Sequence, residues 1–282
     1  MKKLLKYDLK AIARIWWMMA IGVGVLSIVG AIAFRFFLEN IENDEFVFLT
    51  IIAAFAAFFS IFVIIVSMAA TMFLVYARFY KNLFTDEGYL TFTLPVKRSE
   101  IFLSKTLNAV IWTFAHSILI VFAICVFLLI SPPTNGSGIF NTVAFEWFGE
   151  LFALLSDGGF SALLSVIAVL LIIASYLLFS TTLIHLCITV ASIIAKKAKI
   201  ALAILIYYLV SSILGVVFQI VGIMATTVIG SGLTEITSNM SESAQGAIIV
   251  LVLFLVFAII STLAIILYAV TQHLIERKLN LS

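Results

Sequence analysis

The side chains that could do chemistry in this sequence are few and far apart. None of the three histidines, His116, His185 and His273, stands at metal-ligand spacing from another. The sequence contains no G-x-x-x-x-G-K-[ST] phosphate loop, no H-E-x-x-H motif and no G-x-S-x-G nucleophile elbow. We therefore expect no catalytic residue, no metal site and no cofactor bound by this chain, and we do not expect it to be an enzyme by itself.

Several polar residues nevertheless fall inside long apolar runs. His116 lies near the middle of one run, where it could face a substrate or form a hydrogen bond with a neighbouring helix. Ser211, Gly215, Gln219 and Gly222 recur along one face of another run, which favours a packing or subunit interface that could also line a transport path. No carboxylate lies in the middle of a run, so a proton relay is not indicated.

The most distinctive polar segment is residues 78–105, which is rich in aromatic residues for a connection between apolar runs. Asp86 and Glu87 precede Gly88, and Pro95 ends the short helix that these residues predict. This helix could transmit force from a soluble partner, or it could lie at the membrane interface with its aromatic side chains among lipid headgroups. The residue pattern leaves both interpretations open.

The elements that must position these residues are membrane-spanning helices. Hydrophobic residues make up 64% of the 282-residue chain and charged residues 11%, against about 45–50% and about 25% in soluble domains. A helix needs about 20 mostly apolar residues to cross a bilayer. Six segments qualify: Trp16–Phe37, Phe46–Ala77, Thr106–Ile130, Ser161–Ala195, Ile200–Ile229 and Ala247–His273. We therefore predict an all-α membrane protein with one transmembrane domain over residues 1–282, embedded in the lipid bilayer and without a nucleic-acid partner.

The positions of the charged residues predict the orientation of these spans. All but Arg35 of the 16 lysines and arginines lie in four segments: the N-terminus, the connections after spans two and four, and the C-terminus. With six spans these segments share one side of the membrane, which the positive-inside rule makes cytoplasmic. We predict a multi-pass protein of the plasma membrane with both termini in the cytoplasm.

Two further amphipathic segments are predicted outside the spans. Residues 1–15 place Leu5, Leu9 and Ile12 on one face beside a stripe of lysines, which is typical of a surface helix on the inner leaflet. The outer loop, residues 131–160, contains a second amphipathic pattern after Pro132 and Pro133. That helix could act as an outer gate or could be a connector resting on the membrane.

The segment 78–105 also resembles a known family. Glu87-Gly88, Leu94-Pro95-Val96, Arg98 and Ser104-Lys105 resemble the cytoplasmic loop of the ABC-2 type permeases, the membrane subunits of ATP-driven exporters. The sequence around these residues is similar to permeases of Gram-positive bacteria. The resemblance implies that the short helix is a coupling helix between spans two and three. It implies these ATPase-coupling residues: Asp86, Glu87, Gly88, Tyr89, Leu90, Phe92, Pro95 and Arg98.

The resemblance further implies partners for this chain. A permease of this family pairs with a second permease subunit, as a homodimer or heterodimer, and with separate ABC ATPase subunits that hold ATP and Mg²⁺. An apolar path without buried charge favours an amphipathic or lipidic substrate, such as a drug, a peptide or a lipid precursor. The alternatives are an ATP-independent channel or secondary carrier, and a non-transporting membrane scaffold or sensor subunit.

Overall fold

The computed structural model describes residues 2–42, 44–93, 95–131, 149, 153, 159–195, 197–224 and 242–278. Every regular element within these ranges is helical. A single 3₁₀ turn, Asp44–Phe46, separates the first two α-helices. The α-helices of the described residues are α1 (Lys2–Asn40), α2 (Val47–Phe84), α3 (Asp86–Phe92), α4 (Arg98–Ile130), α5 (Gly159–Ile194), α6 (Lys199–Met224) and α7 (Glu242–Lys278).

Six of these helices, all except α3, are long and apolar enough to cross a membrane. The prediction of an all-helical protein with six candidate spans is therefore confirmed for the described residues. The predicted amphipathic helix of the outer loop, residues 131–160, lies almost entirely outside the described residues.

The helices extend beyond the apolar runs. Helix α2 continues to Phe84, past the predicted end of its span at Ala77, and α4 begins at Arg98, before the predicted start at Thr106. The 38 residues of α2 correspond to a length of about 57 Å, whereas the hydrocarbon core is about 30 Å thick. One end or both ends of α2 must therefore project out of the core.

The N-terminal segment, residues 2–15, is helical and continues without a break into the first candidate span. Helix α1 is continuous from Lys2 to Asn40, because no glycine or proline interrupts residues 1–15. The predicted faces are present: Ile12 is buried, Leu5 and Leu9 are half-buried, and the lysines at positions 3, 6 and 10 are exposed. Protein thus covers Ile12 fully and the other two apolar side chains of this face in part.

The chain divides into two compact units. The first unit contains Met1–Arg78 and Leu103–Ala153, and its core joins Val23 of α1, Ile64 of α2 and Ala123 of α4. Helices α1 and α2 approach closely at Gly30, where an added Cβ would lie 2.5 Å from the Cβ of Ser60. Small residues are what allow two membrane helices to come so near each other.

The second unit contains Phe79–Phe102 and Leu154–Ser282. Its core is built on α5, from which Phe179, Leu183 and Cys187 pack with Ala264 of α7. Partly buried side chains of α6, among them Tyr207, pack against the same cluster. Helix α5 is therefore the central helix of this unit.

Candidate functional site

The short helix expected after span two is present as α3, which has seven residues. Asp86 and Glu87 lie in its first turn, where carboxylates oppose the positive end of the helix dipole. The helix ends at Thr93, whose backbone N–H donates to the carbonyl oxygen of Tyr89 at 3.2 Å. Pro95 follows in the connection to α4 and is exposed, and Leu94 lies outside the described residues.

Gly88 holds α3 against the end of α2. Its N–H donates to the carbonyl oxygen of Thr85 at 2.7 Å, and a Cβ at position 88 would lie 2.6 Å from the backbone oxygen of Leu83. No side chain fits at that distance, since the obstacle is backbone. The turn between α2 and α3 therefore requires glycine at this position.

Two apolar side chains of α3 point away from the protein. Tyr89 is 65% exposed and Leu90 is 67% exposed. Neighbouring apolar side chains exposed together on a short helix are typical of a partner surface. Glu87 lies beside them and forms an ion pair with Lys81, with 2.8 Å between Nζ and Oε1.

Arg98 ties the end of this loop to α7. Its guanidinium lies 5.3 Å from the centre of the Phe92 ring, a cation–π contact. Its Nη1 donates to the carbonyl oxygen of Glu276 at 3.1 Å, which is one of the last four carbonyls of α7 and so lacks a partner within the helix. Arg98 therefore bridges α3 and the C-terminal end of α7.

Aromatic residues form the base of the loop. Phe79 of α2 stacks on His185 of α5 with 3.8 Å between ring centres, and Phe102 of α4 lies edge-on to the same imidazole. Phe102 also meets Tyr268 of α7, at 4.8 Å between ring centres. Side chains of four long helices thus meet around Phe102 and His185. No local sequence pattern indicates this cluster, because its members are far apart along the chain.

The candidate path or interface residues separate into two groups. His116 belongs to the first unit and is fully buried, whereas Ser211, Gly215, Gln219 and Gly222 belong to α6 in the second unit. Gly215 and Gly222 face open space, Gln219 is exposed, and the Ser211 hydroxyl donates to the carbonyl of Tyr208 within α6. This stripe is a face of α6 that the rest of the second unit leaves uncovered.

Both ring nitrogens of His116 have hydroxyl partners on α2. Ser67 Oγ donates to the carbonyl of Ile64 at 2.6 Å, so this oxygen accepts from Nε2 of His116 at 3.1 Å. Thr71 Oγ1 lies 3.0 Å from Nδ1 and donates to it. This network assigns the ring proton to Nε2, and of the two interpretations of His116 the observed geometry is the hydrogen bond between helices.

A buried ion pair lies near the start of α1 and of α4, which are predicted to face the cytoplasm. Lys105 Nζ is 2.6 Å from Oδ1 of Asp8, the Ser104 hydroxyl lies 3.5 Å from Oδ2, and Asp8 and Lys105 are each 6% exposed. Asp8 is not among the site residues predicted from the sequence. Its position between Leu5 and Ile12, on the apolar face of α1, is the signal that could have found it, because a carboxylate on such a face needs a partner.

No group of three or more histidine, cysteine, aspartate or glutamate side chains in the described part of the chain could hold a metal ion. Comparison with known proteins identifies no relative: no family model matches the chain, and neither a curated protein nor a solved structure matches it.

Proposed function

We propose that this chain is the membrane-spanning permease subunit of an ABC-type exporter. In this proposal α3 is the coupling helix that seats in a separate ATPase subunit, and the helix bundle forms the path for an amphipathic or lipidic substrate. ATP and Mg²⁺ are held by the ATPase, so this chain performs no hydrolysis itself. A second permease subunit completes the path.

The observation that carries the proposal is the construction of α3. A seven-residue helix is too short to be stable alone, yet this one is fixed at Gly88 by close backbone packing and at its end by Arg98. The same helix presents Tyr89 and Leu90 outward. A short helix that is fixed at both ends and exposes apolar side chains is suited to transmitting force to and from a partner.

The charge distribution supports a cytoplasmic position for α3. All but Arg35 of the lysines and arginines lie in segments that six spans place on the side of α3, and this side faces the cytoplasm by the positive-inside rule. An ATPase partner would be reached from there. A plasma-membrane location with both termini inside belongs to the same proposal.

The uncovered face of α6 supports pairing with a second permease subunit. Gln219 is exposed on a helix long enough to span the membrane, and a polar amide facing lipid is unfavourable without a partner. Gly215 and Gly222 on the same face would let a second helix approach closely.

Purification of the tagged chain from its native host tests the proposal. We expect ATPase activity and a phosphate-loop protein to co-purify, and Tyr89→Ala together with Leu90→Ala to remove both, because this double change deletes the exposed tip of α3. Tyr7→Ala is the matched control, since Tyr7 is 71% exposed on α1, and it should keep the ATPase bound. Transport by the purified chain alone, without any ATPase, would instead favour a channel or carrier.

A second variant tests the turn that holds α3 without changing its exposed side chains. Gly88→Ala leaves Tyr89 and Leu90 in place but forces the turn away from Leu83. We expect it to reduce ATPase co-purification while the chain still elutes as a monodisperse peak in size-exclusion chromatography. Gly22→Ala, where the added Cβ also meets no atom within 4 Å, is the matched control and should keep the ATPase bound.

A further inference from the structure

A groove of about 370 Å³ lies where α1 and α2 meet, at the N-terminal end of α2. Its walls come from residues 37–41 at the end of α1 and from the first turns of α2, including Ile51, Phe55 and Phe58. Only Asn40 and Thr50 among the lining residues are polar. All of these residues belong to the first unit.

The polar side chains of the groove are engaged within the hairpin. The Thr50 hydroxyl donates to the carbonyl of Phe46 at 3.0 Å, and the side-chain amide of Asn40 donates to the carbonyl of Phe36, also at 3.0 Å. The Thr50 hydroxyl also lies 3.4 Å from the carbonyl oxygen of Asn40, so its single proton is directed to backbone carbonyls of the same unit. The walls therefore favour an apolar occupant, because a polar group placed there would lose its hydrogen bonds to water.

The dimensions of the groove select a single hydrocarbon chain. Val47 to Phe58 spans about 16 Å along α2, which is close to half of the hydrocarbon thickness of about 30 Å. A volume of about 370 Å³ lies near the lower limit for small-molecule pockets, about 300 Å³. One chain in one leaflet fits these dimensions, whereas a folded protein segment does not.

Two acidic residues are close in sequence to residues that line the groove. Glu42 directly follows the lining residue Ile41, Glu45 lies two residues before the lining residue Val47, and both carboxylates are exposed. Acidic residues beside a hydrocarbon groove complement a positively charged headgroup.

We propose that this groove binds a single-chain cationic amphiphile, with its hydrocarbon tail along Ile51, Phe55 and Phe58 and its cationic head beside Glu42 and Glu45. This proposal names a substrate class for the permease, and it rests on the proposed function only for the claim that the bound molecule is transported. Binding itself needs neither ATP nor a partner.

Equilibrium binding of radiolabelled dodecyltrimethylammonium to the full chain in phosphatidylcholine nanodiscs tests the proposal, with empty nanodiscs as background. We expect saturable binding that dodecyl sulfate does not displace. Ala54→Phe, which fills the groove, should weaken binding by about tenfold or more, and Phe55→Ala, which removes one wall at an exposed position, should also weaken it. Glu42→Gln with Glu45→Gln should weaken it about two- to fivefold.

Matched controls lie elsewhere on the chain. Ala69→Phe adds the same volume at an exposed position of α2 outside the groove, and Glu276→Gln removes a carboxylate from α7. Both should bind dodecyltrimethylammonium as the unchanged chain does.

Four results would overturn the proposal. Equal displacement by dodecyl sulfate would mean an unselective lipid groove, and unchanged binding in both Ala54→Phe and Phe55→Ala would place the amphiphile elsewhere. Conversion of a dimer to a monomer by Ala54→Phe would mean that a second copy covers the groove. Because ATPase co-purification is measured separately, a lack of saturable amphiphile binding by the unchanged chain, with the ATPase still bound, would reject this inference and leave the proposed function intact.

Discussion

Asp8 and Lys105 form the most deeply buried ion pair described in this protein. Removing charges from water is costly, and their mutual attraction offsets this cost only while both partners are present. The pair fixes the start of α1 to the start of the membrane-spanning part of α4. We infer that its main contribution is to hold these two helices in one register.

Substitutions at this pair should distinguish the contribution of charge to stability from the contribution of packing. Asp8→Ala removes the carboxylate from the buried Lys105 ammonium and should lower the free energy of unfolding by about 3–5 kcal/mol, seen as a lower midpoint of thermal unfolding in detergent. Asp8→Leu combined with Lys105→Met should recover most of this loss, because apolar side chains of similar volume replace a buried pair at little cost. Equal losses in the single and double variants would contradict this account. Lys10→Ala, at an exposed position of α1, is the control.

His116 shows what sequence can and cannot specify for a single residue. Its place inside a span was evident from the apolar residues around it. Its partners, Ser67 and Thr71, lie 49 and 45 residues away, and only the packing of α2 against α4 brings them into reach. The choice between a substrate-facing group and an interhelical hydrogen bond therefore required the three-dimensional structure.

At the level of elements, the close approach of α1 and α2 depends on Gly30. Gly30→Ala would place a methyl group 2.5 Å from the Cβ of Ser60, and such overpacking costs about 1–3 kcal/mol. We expect a lower midpoint of thermal unfolding, partly restored by the additional change Ser60→Gly. Gly22→Ala is the matched control on the same helix, since its added Cβ meets no atom within 4 Å. An unchanged midpoint for Gly30→Ala would show that the helices can separate without cost.

The existence of the spans was predictable and their ends were not. Hydropathy locates a span because the bilayer requires about 20 apolar residues, and all six runs correspond to helices. The extension of α2 to Phe84 depends instead on Phe79 and Leu83, which are buried against neighbouring helices. A local pattern does not reveal that kind of burial.

Helix α3 was predictable for a different reason. Its boundaries follow from Asp86 and Glu87 at the start and Pro95 after the end, which are signals within one short segment. The hydrogen bond from Arg98 to Glu276 joins residues 178 positions apart, so no local pattern predicts it. The candidate coupling residues were thus found by local pattern, whereas the contacts that fix them were not.

At the scale of the whole molecule, orientation can be tested with introduced cysteines. The two native cysteines, Cys125 and Cys187, lie within helices α4 and α5, so a Cys-free background is the starting point. Glu42→Cys should react with a membrane-impermeant maleimide in intact cells. Lys3→Cys, Lys97→Cys and Lys197→Cys should react only after the cells are broken, because all three positions are predicted to be cytoplasmic.

The labelling pattern also bears on the ATPase partner. Reaction of Lys97→Cys and Glu42→Cys from the same side would contradict the six-span topology. Reaction of Lys97→Cys in intact cells, with Glu42→Cys protected, would show that the orientation is inverted. Helix α3 would then be out of reach of a cytoplasmic ATPase.

The Asp8–Lys105 pair also limits when α1 can reach its final position during synthesis. The two residues are separated by 97 positions, and at about 5–20 residues per second the ribosome needs roughly 5–20 s to cover that interval. During this time Asp8 is already made while its countercharge is not. During synthesis the first turns of α1 must therefore stay in water or among lipid headgroups. Helix α1 can reach its final depth in the membrane only after the third span has begun to leave the ribosome.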